Sequence, residues 1–334
     1  MPASAVRFGI VGTSGHARRV AAPVLKASPQ VALLGATGSA PDRAAKFAQQ
    51  HGLPRSYRSL DEMLNDREVD AVWICSPNHL HAGQVAQCAA AGKHVLVEKP
   101  LATTCADAES AGRAADTARI MLRIGCQHRF RPAHRHIREL IATDAVGKLG
   151  YLRIHRFWRY PYFEDMDPSG PPQWRRSADE SGGWVINDIG AHLLDLMLWM
   201  SGLKGTLAGA VLAAQQFDLP TDDSTAVLLR LGETGIGIME TSCANDSPGR
   251  RIEVYGSHGW IRADDTLSGA AAVTTHVGRT LSFPPVQMLD TYSAEVADFV
   301  AAVRGEPGIG ADAAAGAALA AIIESAVKGG ALCA

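Results

Sequence analysis

Residues 6–17, VRFGIVGTSGHA, decide the expected fold of the first part of this 334-residue chain. A short β-branched run ends before Gly12, and a stretch of helical period follows. The turn Gly12–Ala17 fits the pattern G-x-G-x-x-A, with Ser14 in place of the middle glycine. Such a turn directs backbone N–H groups and a helix N-terminus toward one point, where a pyrophosphate is stabilised. The stretch therefore predicts the first strand and the phosphate-binding turn of a Rossmann-type domain.

Four further β-branched runs alternate with Ala-rich stretches of helical period as far as about residue 125. The runs are VALLGA, VDAVWIC, KHVLVE and RIMLRI. Strands that alternate with helices in this way are typical of parallel βαβ units. We therefore predict a dinucleotide-binding Rossmann domain over residues 1–127.

The pattern changes after residue 128, where longer strand-like segments such as YLRIHRFWRY and STAVLLRL follow one another. Hairpin-like succession of this kind favours antiparallel pairing. One apolar helix is predicted over 187–201, and two Ala-rich helices over 290–304 and 312–328. We predict that residues 128–334 form an α+β domain for substrate binding and oligomerisation, built on a large, mostly antiparallel open sheet. The fold class of the whole chain is α/β.

The composition indicates a small-molecule partner. The chain has 32 Lys and Arg residues against 34 Asp and Glu residues, so no basic field is present to bind nucleic acid or an anionic membrane. The sequence has no secretory pattern and no apolar stretch of the ~20 residues that a membrane span needs. Its six cysteines form no CxxC pair, which argues against disulfides and structural zinc. We expect a cytoplasmic protein.

The end of the second predicted strand should select between NAD and NADP. An acid there bonds the ribose hydroxyls of NAD, whereas small polar groups with an arginine accept the 2′-phosphate of NADP. The chain has Thr37 and Ser39 at this place, followed by Arg43, and no acid. The pattern favours NADP(H), with NAD(H) as the alternative. Arg43 could also lie on a solvated helix face and pair with Asp42.

Glu98-Lys99-Pro100 follows a predicted parallel strand, at the edge where open α/β sheets bind ligands. A Lys-Pro bond at a strand end is a candidate cis peptide bond. A lysine at this edge could bind a hydroxyl or carbonyl oxygen, and partial burial would lower its pKa toward the range of proton transfer. An isolated Glu-Lys-Pro sequence also fits a solvated lysine.

A second polar turn leaves the same predicted edge one strand earlier. It contains Ser76, Asn78 and His81, whose side chains suit a ribose or a carboxamide. Two polar turns on one edge strengthen the prediction of a binding site.

Asp188 and His192 open the apolar helix and, at i and i+4, are predicted to share a helix face. A histidine suits proton exchange with a substrate hydroxyl, and a neighbouring carboxylate would orient it. A hydrogen-bonded core pair is an equally good interpretation. Asp195 on the next turn raises the question of a metal site, but no HExxH or Cys/His cluster supports one, and we expect no metal.

Trp174-Arg175 follows the Pro- and Gly-rich segment PSGPP. The two residues could belong to a mobile loop over the site. The indole could equally anchor a long loop on the core.

Together these stretches resemble the glucose-fructose oxidoreductase/inositol dehydrogenase/MocA family, and the likeness covers nearly the whole chain. Its specific parts are Glu-Lys-Pro, the preceding polar strand end SPNHLH, and the D-x-G-x-H pattern. The resemblance implies that His192 is the acid/base, Asp188 its orienting partner and Lys99 the group that polarises the reacting oxygen. It also implies an open sheet face that forms a dimer interface, and hence a homodimer or homotetramer.

Within the family, the sequence looks most like the NADP-dependent 1,5-anhydro-D-fructose reductase branch. The likeness includes Gln127-His128, Trp174-Arg175 and Tyr292, and it implies that Trp174, Arg175 and Tyr292 contact the cofactor. The chain departs from the branch at Gly38-Ser39, where one residue is inserted, and at Ile189-Gly190, which follows the wider family.

The sequence thus predicts an NAD(P)-dependent oxidoreductase that transfers a hydride to or from a carbonyl or hydroxyl carbon of a sugar or polyol. The alternatives are a non-catalytic NAD(P)-binding sensor of the same fold and an NAD-dependent inositol or aldose dehydrogenase. The predicted catalytic residues are Lys99, Asp188 and His192. The predicted cofactor-binding residues are Gly12, Thr13, Ser14, Gly15, His16, Ala17, Thr37, Ser39, Arg43, Ser76, Asn78, His81, Glu98, Lys99, Gln127, Trp174, Arg175 and Tyr292.

Overall fold

The computed structural model of the protein describes residues 5–161, 163–164, 166–168, 170–247, 250–267, 269–329 and 331–333. The chain divides into two compact units, residues 1–127 with 287–317 and residues 128–286 with 318–334. The first unit thus includes residues 287–317, which the sequence prediction assigned to the domain at 128–334.

Eleven α-helices lie within the described residues. They are α1 (Ala22–Ala27), α2 (Pro41–His51), α3 (Leu60–Asn65), α4 (His81–Ala90), α5 (Cys105–Ala118), α6 (Pro132–Ala142), α7 (Gln173–Arg176), α8 (Ala178–Ser181), α9 (Ala191–Ser201), α10 (Met288–Val303) and α11 (Ala313–Gly329). Two π-helical segments, Ala17–Ala21 and Ile186–Gly190, lead directly into α1 and α9. Two 3₁₀ turns lie at Asn78–Leu80 and Gln127–Phe130.

The first unit contains a parallel sheet, which confirms the predicted Rossmann domain. Its strands are β1 (Val6–Val11), β2 (Val31–Thr37), β3 (Arg55–Ser56), β4 (Ala71–Ile74), β5 (His94–Glu98) and β6 (Leu122–Gly125). Their order is β3-β2-β1-β4-β5-β6, with every neighbouring pair parallel. The strand ends that carry Gly12, Thr37, Cys75 and Glu98 therefore lie along one edge.

The helix α10 belongs to the first unit because its apolar side chains complete that unit's core. Val296 and Phe299 are buried in one cluster with Phe8 and Trp73 of the sheet. The rings of Phe8 and Phe299 pack edge to face with centroids 5.6 Å apart. An apolar stripe predicts that a helix is buried, but it does not say against which sheet.

The second unit contains a nine-stranded sheet, mostly antiparallel as predicted. Its strands are β7 (Leu149–Phe157), β8 (Gly205–Ala213), β9 (Ser224–Leu231), β10 (Gly235–Ser242), β11 (Arg251–Gly256), β12 (Trp260–Asp264), β13 (Ala271–Thr275), β14 (Thr280–Phe283) and β15 (Ala331–Cys333). Their order is β14-β13-β12-β11-β7-β10-β9-β8-β15. Only the pairs β7–β10 and β8–β15 are parallel among these described strands. Helix α9 packs on the face of β7 that buries Leu152 and Ile154.

A buried ion pair joins α9 to the turn that precedes α6. The guanidinium of Arg129 donates a hydrogen bond from Nε to Asp195 at 2.8 Å, and both side chains are almost fully buried. Arg129 also lies 5.8 Å from the centroid of the Trp199 ring. Asp195, considered above as a metal ligand, is thus bound by an arginine. No group of three or more His, Cys, Asp and Glu side chains among the described residues has the arrangement of a metal site.

Two further features bear on the sequence predictions. The five cysteines whose side chains are described are free thiols. Across the part of the chain that the structure describes, no helix combines the length and apolarity that a membrane span requires.

Candidate active site

The turn after β1 is closed around Gly12. Its backbone N–H donates to the carbonyl oxygen of Thr37 at 2.8 Å, which ties the end of β1 to the end of β2. Gly12 has φ of +102°, and a Cβ at this position would lie 2.8 Å from the carbonyl carbon and oxygen of Cys75. Only glycine fits both conditions. The helical residues begin at Gly15, and Ser14 before it is exposed, so the predicted strand, turn and helix follow one another here.

The end of β2 offers polar atoms to a ligand. Thr37 is buried, and no described residue forms a hydrogen bond with its Oγ1. The guanidinium of Arg43 donates to Oγ of Ser39 at 3.1 Å, and both side chains are exposed. Within the described part of the chain, the Arg43 guanidinium thus contacts Ser39 rather than the neighbouring Asp42. These side chains offer a ligand two hydroxyls and a cation at the place where dinucleotide-binding folds hold the adenosine ribose.

Gly38, in the Gly38-Ser39 pair where the chain departs from the branch, lies close to Thr13. A Cβ at Gly38 would lie 2.8 Å from Oγ1 of Thr13. The turn after β1 and the loop after β2 are therefore in direct contact, and the predicted residues of both loops form one surface.

Four predicted residues that are far apart in sequence come together around Glu98. His16 Nε2 lies 3.0 Å from Oε1 of this buried carboxylate. The His16 ring packs edge to face on Tyr292, with centroids 5.4 Å apart. Nε2 of Gln127 donates to the hydroxyl of Tyr292 at 2.8 Å. The structure thus groups His16, Glu98, Gln127 and Tyr292 at the carboxyl edge of the parallel sheet.

Sequence reasoning missed Trp73, which also binds Glu98. Its indole Nε1 donates to Oε1 of Glu98 at 3.2 Å. Gly125 of the adjacent strand leaves room for the carboxylate, because a Cβ there would lie 3.0 Å from Oε1. The available signal was a tryptophan inside a buried strand, where the indole N–H needs a partner.

His81 joins the two polar turns on the sheet edge. Its imidazole is fully buried, with Nδ1 2.6 Å from the carbonyl oxygen of Pro100 and Nε2 2.9 Å from that of Ser76. Burial lowers the pKa of His81, although both carbonyl contacts oppose that effect. The Lys99–Pro100 bond is cis, which confirms the prediction made from the strand end. The ring of His81 is therefore occupied by protein carbonyls and fixes the turn beside Lys99.

The other residues of these turns differ in exposure. Asn78 is buried, and Oγ of Ser76 donates to Gln84 at 2.6 Å. Lys99 is half-buried at the end of β5.

In the second unit, Asp188 is paired with Arg175. The carboxylate accepts one guanidinium hydrogen bond at 3.1 Å and lies 3.0 Å from the other terminal nitrogen. Arg175 also lies 5.1 Å from the centroid of the Trp174 ring. Trp174 and Arg175 belong to the short helix α7, and neither is fully exposed. The predicted pairing of Asp188 with His192 stays a prediction.

His192 packs against a second histidine. Its ring meets that of His128 edge to face, with centroids 4.8 Å apart, and both side chains are buried. Burial, reinforced by His192 and two nearby arginines, holds the pKa of His128 well below its usual value. Nδ1 of His134 lies 2.7 Å from the backbone oxygen of His128 and fixes that segment. A positive charge on the His128 ring is therefore disfavoured beside His192.

The glycine turn and the polar sheet edge define the first unit as an NAD(P)-binding Rossmann domain. A model of an oxidoreductase family, described as having an NAD-binding Rossmann fold, matches residues 6–126. A model described as the GFO/IDH/MocA C-terminal domain matches residues 134–262. The chain belongs to the GFO/IDH/MocA family of oxidoreductases, as the sequence comparison predicted.

Three curated relatives are similar over most of the chain. It is 30% identical over 269 residues to 4-carboxy-2-hydroxymuconate-6-semialdehyde dehydrogenase of Sphingobium, with 79% of each chain covered. It is 29% identical over 307 residues to 1,5-anhydro-D-fructose reductase of Ensifer adhaerens, covering 90% of this chain and 88% of that protein. It is 28% identical over 312 residues to myo-inositol 2-dehydrogenase of Thermotoga maritima, covering 90% of each.

Solved structures share the fold. A 3-ketoreductase from Actinomadura kijaniata, in complex with NADP and TDP-benzene, has a TM-score of 0.82 at 22% identity, with 98% of each chain covered. GenD2 from gentamicin A biosynthesis, in complex with NAD, has a TM-score of 0.82 at 25% identity, covering 98% of this chain and 95% of that one. Proteins of this fold therefore bind either dinucleotide.

Gly12→Ala should weaken cofactor binding. The new Cβ would meet the Cys75 carbonyl and force an unfavourable positive φ, so the turn must open. We expect the affinity for both NADPH and NADH to fall by about tenfold or more, measured by nicotinamide fluorescence, since a lost charge-assisted hydrogen bond alone costs that much. Gly83→Ala in α4 is the control, because nothing lies within 4 Å of its added Cβ. Wild-type affinity in folded Gly12→Ala protein would show that this turn does not bind the cofactor.

Proposed function

We propose that this protein is an NAD(P)-dependent oxidoreductase that interconverts a carbonyl and a hydroxyl group on a sugar-like or polyol substrate. The observation that carries the proposal is the convergence, on one edge of the parallel sheet, of the Gly12 turn, the Thr37–Arg43 group and the turn after Glu98. The family assignment supports dehydrogenase or reductase chemistry. The names of two relatives, an anhydrofructose reductase and an inositol dehydrogenase, support a polyhydroxylated substrate.

Residues of the first unit fit the cofactor. We propose that the backbone N–H groups of the turn bind the pyrophosphate, while the Thr37–Arg43 group binds the adenosine ribose and its phosphate. The remaining predicted residues would surround the nicotinamide half. In the first unit these are Ser76, Asn78, Glu98, Lys99, Gln127 and Tyr292. Trp174 and Arg175 are proposed as further cofactor contacts because the family resemblance implies them. His81 supports them through its contacts to the two turns.

The protein's own residues would control the reacting oxygen. When bound, the reduced nicotinamide supplies a hydride to the carbonyl carbon and the oxidised ring accepts it in the reverse direction. We propose that the ammonium group of Lys99 donates a hydrogen bond to the oxygen and stabilises the negative charge that develops there. His192 then gives that oxygen a proton in reduction and removes it in oxidation. Asp188, which is bound to Arg175, would orient His192 on the same helix.

His192→Asn should remove turnover while cofactor affinity remains. General acid–base catalysis contributes about 10²- to 10⁴-fold, so we expect a loss of kcat in that range near pH 7. Turnover would be followed by nicotinamide absorbance with a panel of sugar ketones, aldoses and polyols. His136→Asn, at a half-buried position on α6, is the matched control and should retain activity. Full activity of His192→Asn would exclude His192 from the mechanism, and a wild-type protein that binds NADPH without any turnover would favour the sensor alternative.

We further propose NADP(H) as the preferred cofactor, with NAD(H) as the second candidate. Arg43→Ala should weaken NADPH by about tenfold or more and leave NADH nearly unchanged, because a hydrogen bond to a charged group contributes about 1.5–3 kcal/mol. Parallel fluorescence titrations measure both affinities. Arg113→Ala on α5 removes another exposed positive charge and serves as the control. Equal losses for the two dinucleotides would contradict the phosphate-binding role.

The open face of the second sheet supports a homo-oligomer. Tyr151, Tyr255 and Trp260 lie side by side on β7, β11 and β12, and they are 41%, 46% and 38% exposed. Two residues away on the same three strands, Arg153, Glu253 and Arg262 are paired with one another in register, and Arg153 also donates to Glu240 of β10 at 2.7 Å. An aromatic row beside balanced charges is typical of a surface that binds a copy of itself.

Tyr255→Glu should therefore lower the oligomeric state. A carboxylate in the middle of the aromatic row would be desolvated without a partner in the dimer. Sedimentation or light scattering at micromolar concentration measures the mass. Val277→Glu, at a turn position that is 65% exposed, is the control and should leave the mass unchanged. A wild-type monomer would contradict the proposal.

A further inference from the structure

One buried carboxylate binds the start of the helix that carries Asp188 and His192. Asp222 precedes β9 and is 1% exposed. Its Oδ2 accepts a hydrogen bond from the backbone N–H of Ile186 at 2.7 Å and another from Oγ1 of Thr225 at 2.5 Å. Its backbone oxygen accepts the N–H of the preceding residue, Val185, at 3.3 Å. A single residue of the sheet thus binds two of the N–H groups that a helix start leaves unpaired.

The segment before the helix is shaped to admit this carboxylate. Gly182 and Gly183 have φ of +68° and +100°. A Cβ at Gly183 would lie 3.3 Å from Oδ1 of Asp222 and 2.6 Å from the side chain of Ile186. The two glycines of the SGGW sequence therefore let the chain turn closely over Asp222 and enter the helix at a fixed point.

The carboxylate also acts through its charge. A negative group at a helix N-terminus is stabilised by the helix dipole. Burial raises the pKa of the Cys243 thiol, and the charges of Asp223, Asp188 and Asp222 add to that effect, so the three carboxylates all lie near this thiol. Within the part of the chain that the structure describes, Asp222 itself faces the hydroxyl of Thr225 and the helix-start N–H groups.

Burial makes this arrangement costly for folding. It raises the pKa of Asp222 from 3.8 to about 6. A raised pKa means that the protonated form favours the folded state, so this contribution to stability is greatest below pH 3.8 and is lost as the pH rises through about 6. At neutral pH the ionised carboxylate lowers stability relative to a neutral side chain of the same shape. Its position is therefore better explained by what it binds than by a gain in stability.

We propose that Asp222 is a positioning residue, whose buried carboxylate fixes where the helix carrying Asp188 and His192 begins. This inference rests on the proposed function, because Asp188 and His192 have their roles there. Asp222 does not touch the reacting atoms. It acts by holding Ile186, two residues before Asp188 and six before His192.

The test compares Asp222→Asn and Asp222→Ala with Asp223→Asn. Asp223 is the neighbouring buried carboxylate, but it binds the N–H groups of Gln215 and Gln216 in a loop and not the helix. We expect kcat to fall by about tenfold in Asp222→Asn and more in Asp222→Ala, since displacement by 1 Å can cost about 10²-fold. KM and NADPH affinity should change little. Thermal unfolding at neutral pH should show Asp222→Asn to be at least as stable as the wild type, and Asp223→Asn should keep its activity.

A second measurement does not depend on turnover. The edge-to-face packing of His128 on His192 makes their imidazole C–H resonances sensitive to ring displacement. We expect NMR of the cofactor-free protein to show these resonances shifted in both Asp222 variants and unshifted in Asp223→Asn. Unshifted resonances in folded Asp222→Asn would overturn the positioning role. If the resonances shift in the Asp222 variants but the wild-type protein shows no turnover, the positioning role would stand and the proposed function would be rejected.

Discussion

The approach of the Gly12 backbone to the carbonyl group of Cys75 is the constraint on which the first unit depends. No side chain fits between them, and the same residue ties the end of β1 to Thr37. Three neighbouring strands must therefore end at the same level. The polar residues that follow them share one edge of the sheet, where backbone N–H groups, hydroxyls and a guanidinium are available together.

Paired charges organise the second unit in a comparable way. Helix α9 is apolar almost all round, so each charge near it needs a partner. Asp195 is bound by Arg129, Asp188 by Arg175, and the helix start by Asp222. Removal of one member of such a pair would leave the other charge buried without a partner. The free energy lost in that way is much larger than the net stabilisation that the intact pair provides. The interactions thus fix the helix direction more than they add to stability.

The sequence predicted the features that local pattern controls and missed those that depend on distant neighbours. Buried strands and the glycine turn are determined by short stretches of sequence. The parallel first sheet and the mostly antiparallel second sheet were therefore predicted correctly. The hydrogen bond from Trp73 to Glu98 joins β4 to β5. The spacing of residues in the sequence does not show which carboxylate the indole binds. The i, i+4 argument for Asp188 and His192 assumed α-helical geometry, whereas the segment before α9 is π-helical. The partner of Asp188, Arg175, comes from a separate short helix.

The π-helical segment Ile186–Gly190 lets one continuous helix set the direction of Asp188 independently of the packing of α9. Successive residues of an α-helix are rotated by about 100° around its axis. A π-helical turn contains one additional residue, so the side chains before it are rotated by about that angle relative to the apolar stripe of the helix after it. The direction of Asp188 is set by the local turn, while α9 keeps its hydrophobic packing on β7. Ala17–Ala21 has the same geometry between the glycine turn and the core residues of α1. Insertions or deletions of single residues in these two segments offer evolution a way to reorient the reactive end of each helix while the hydrophobic interior is inherited unchanged.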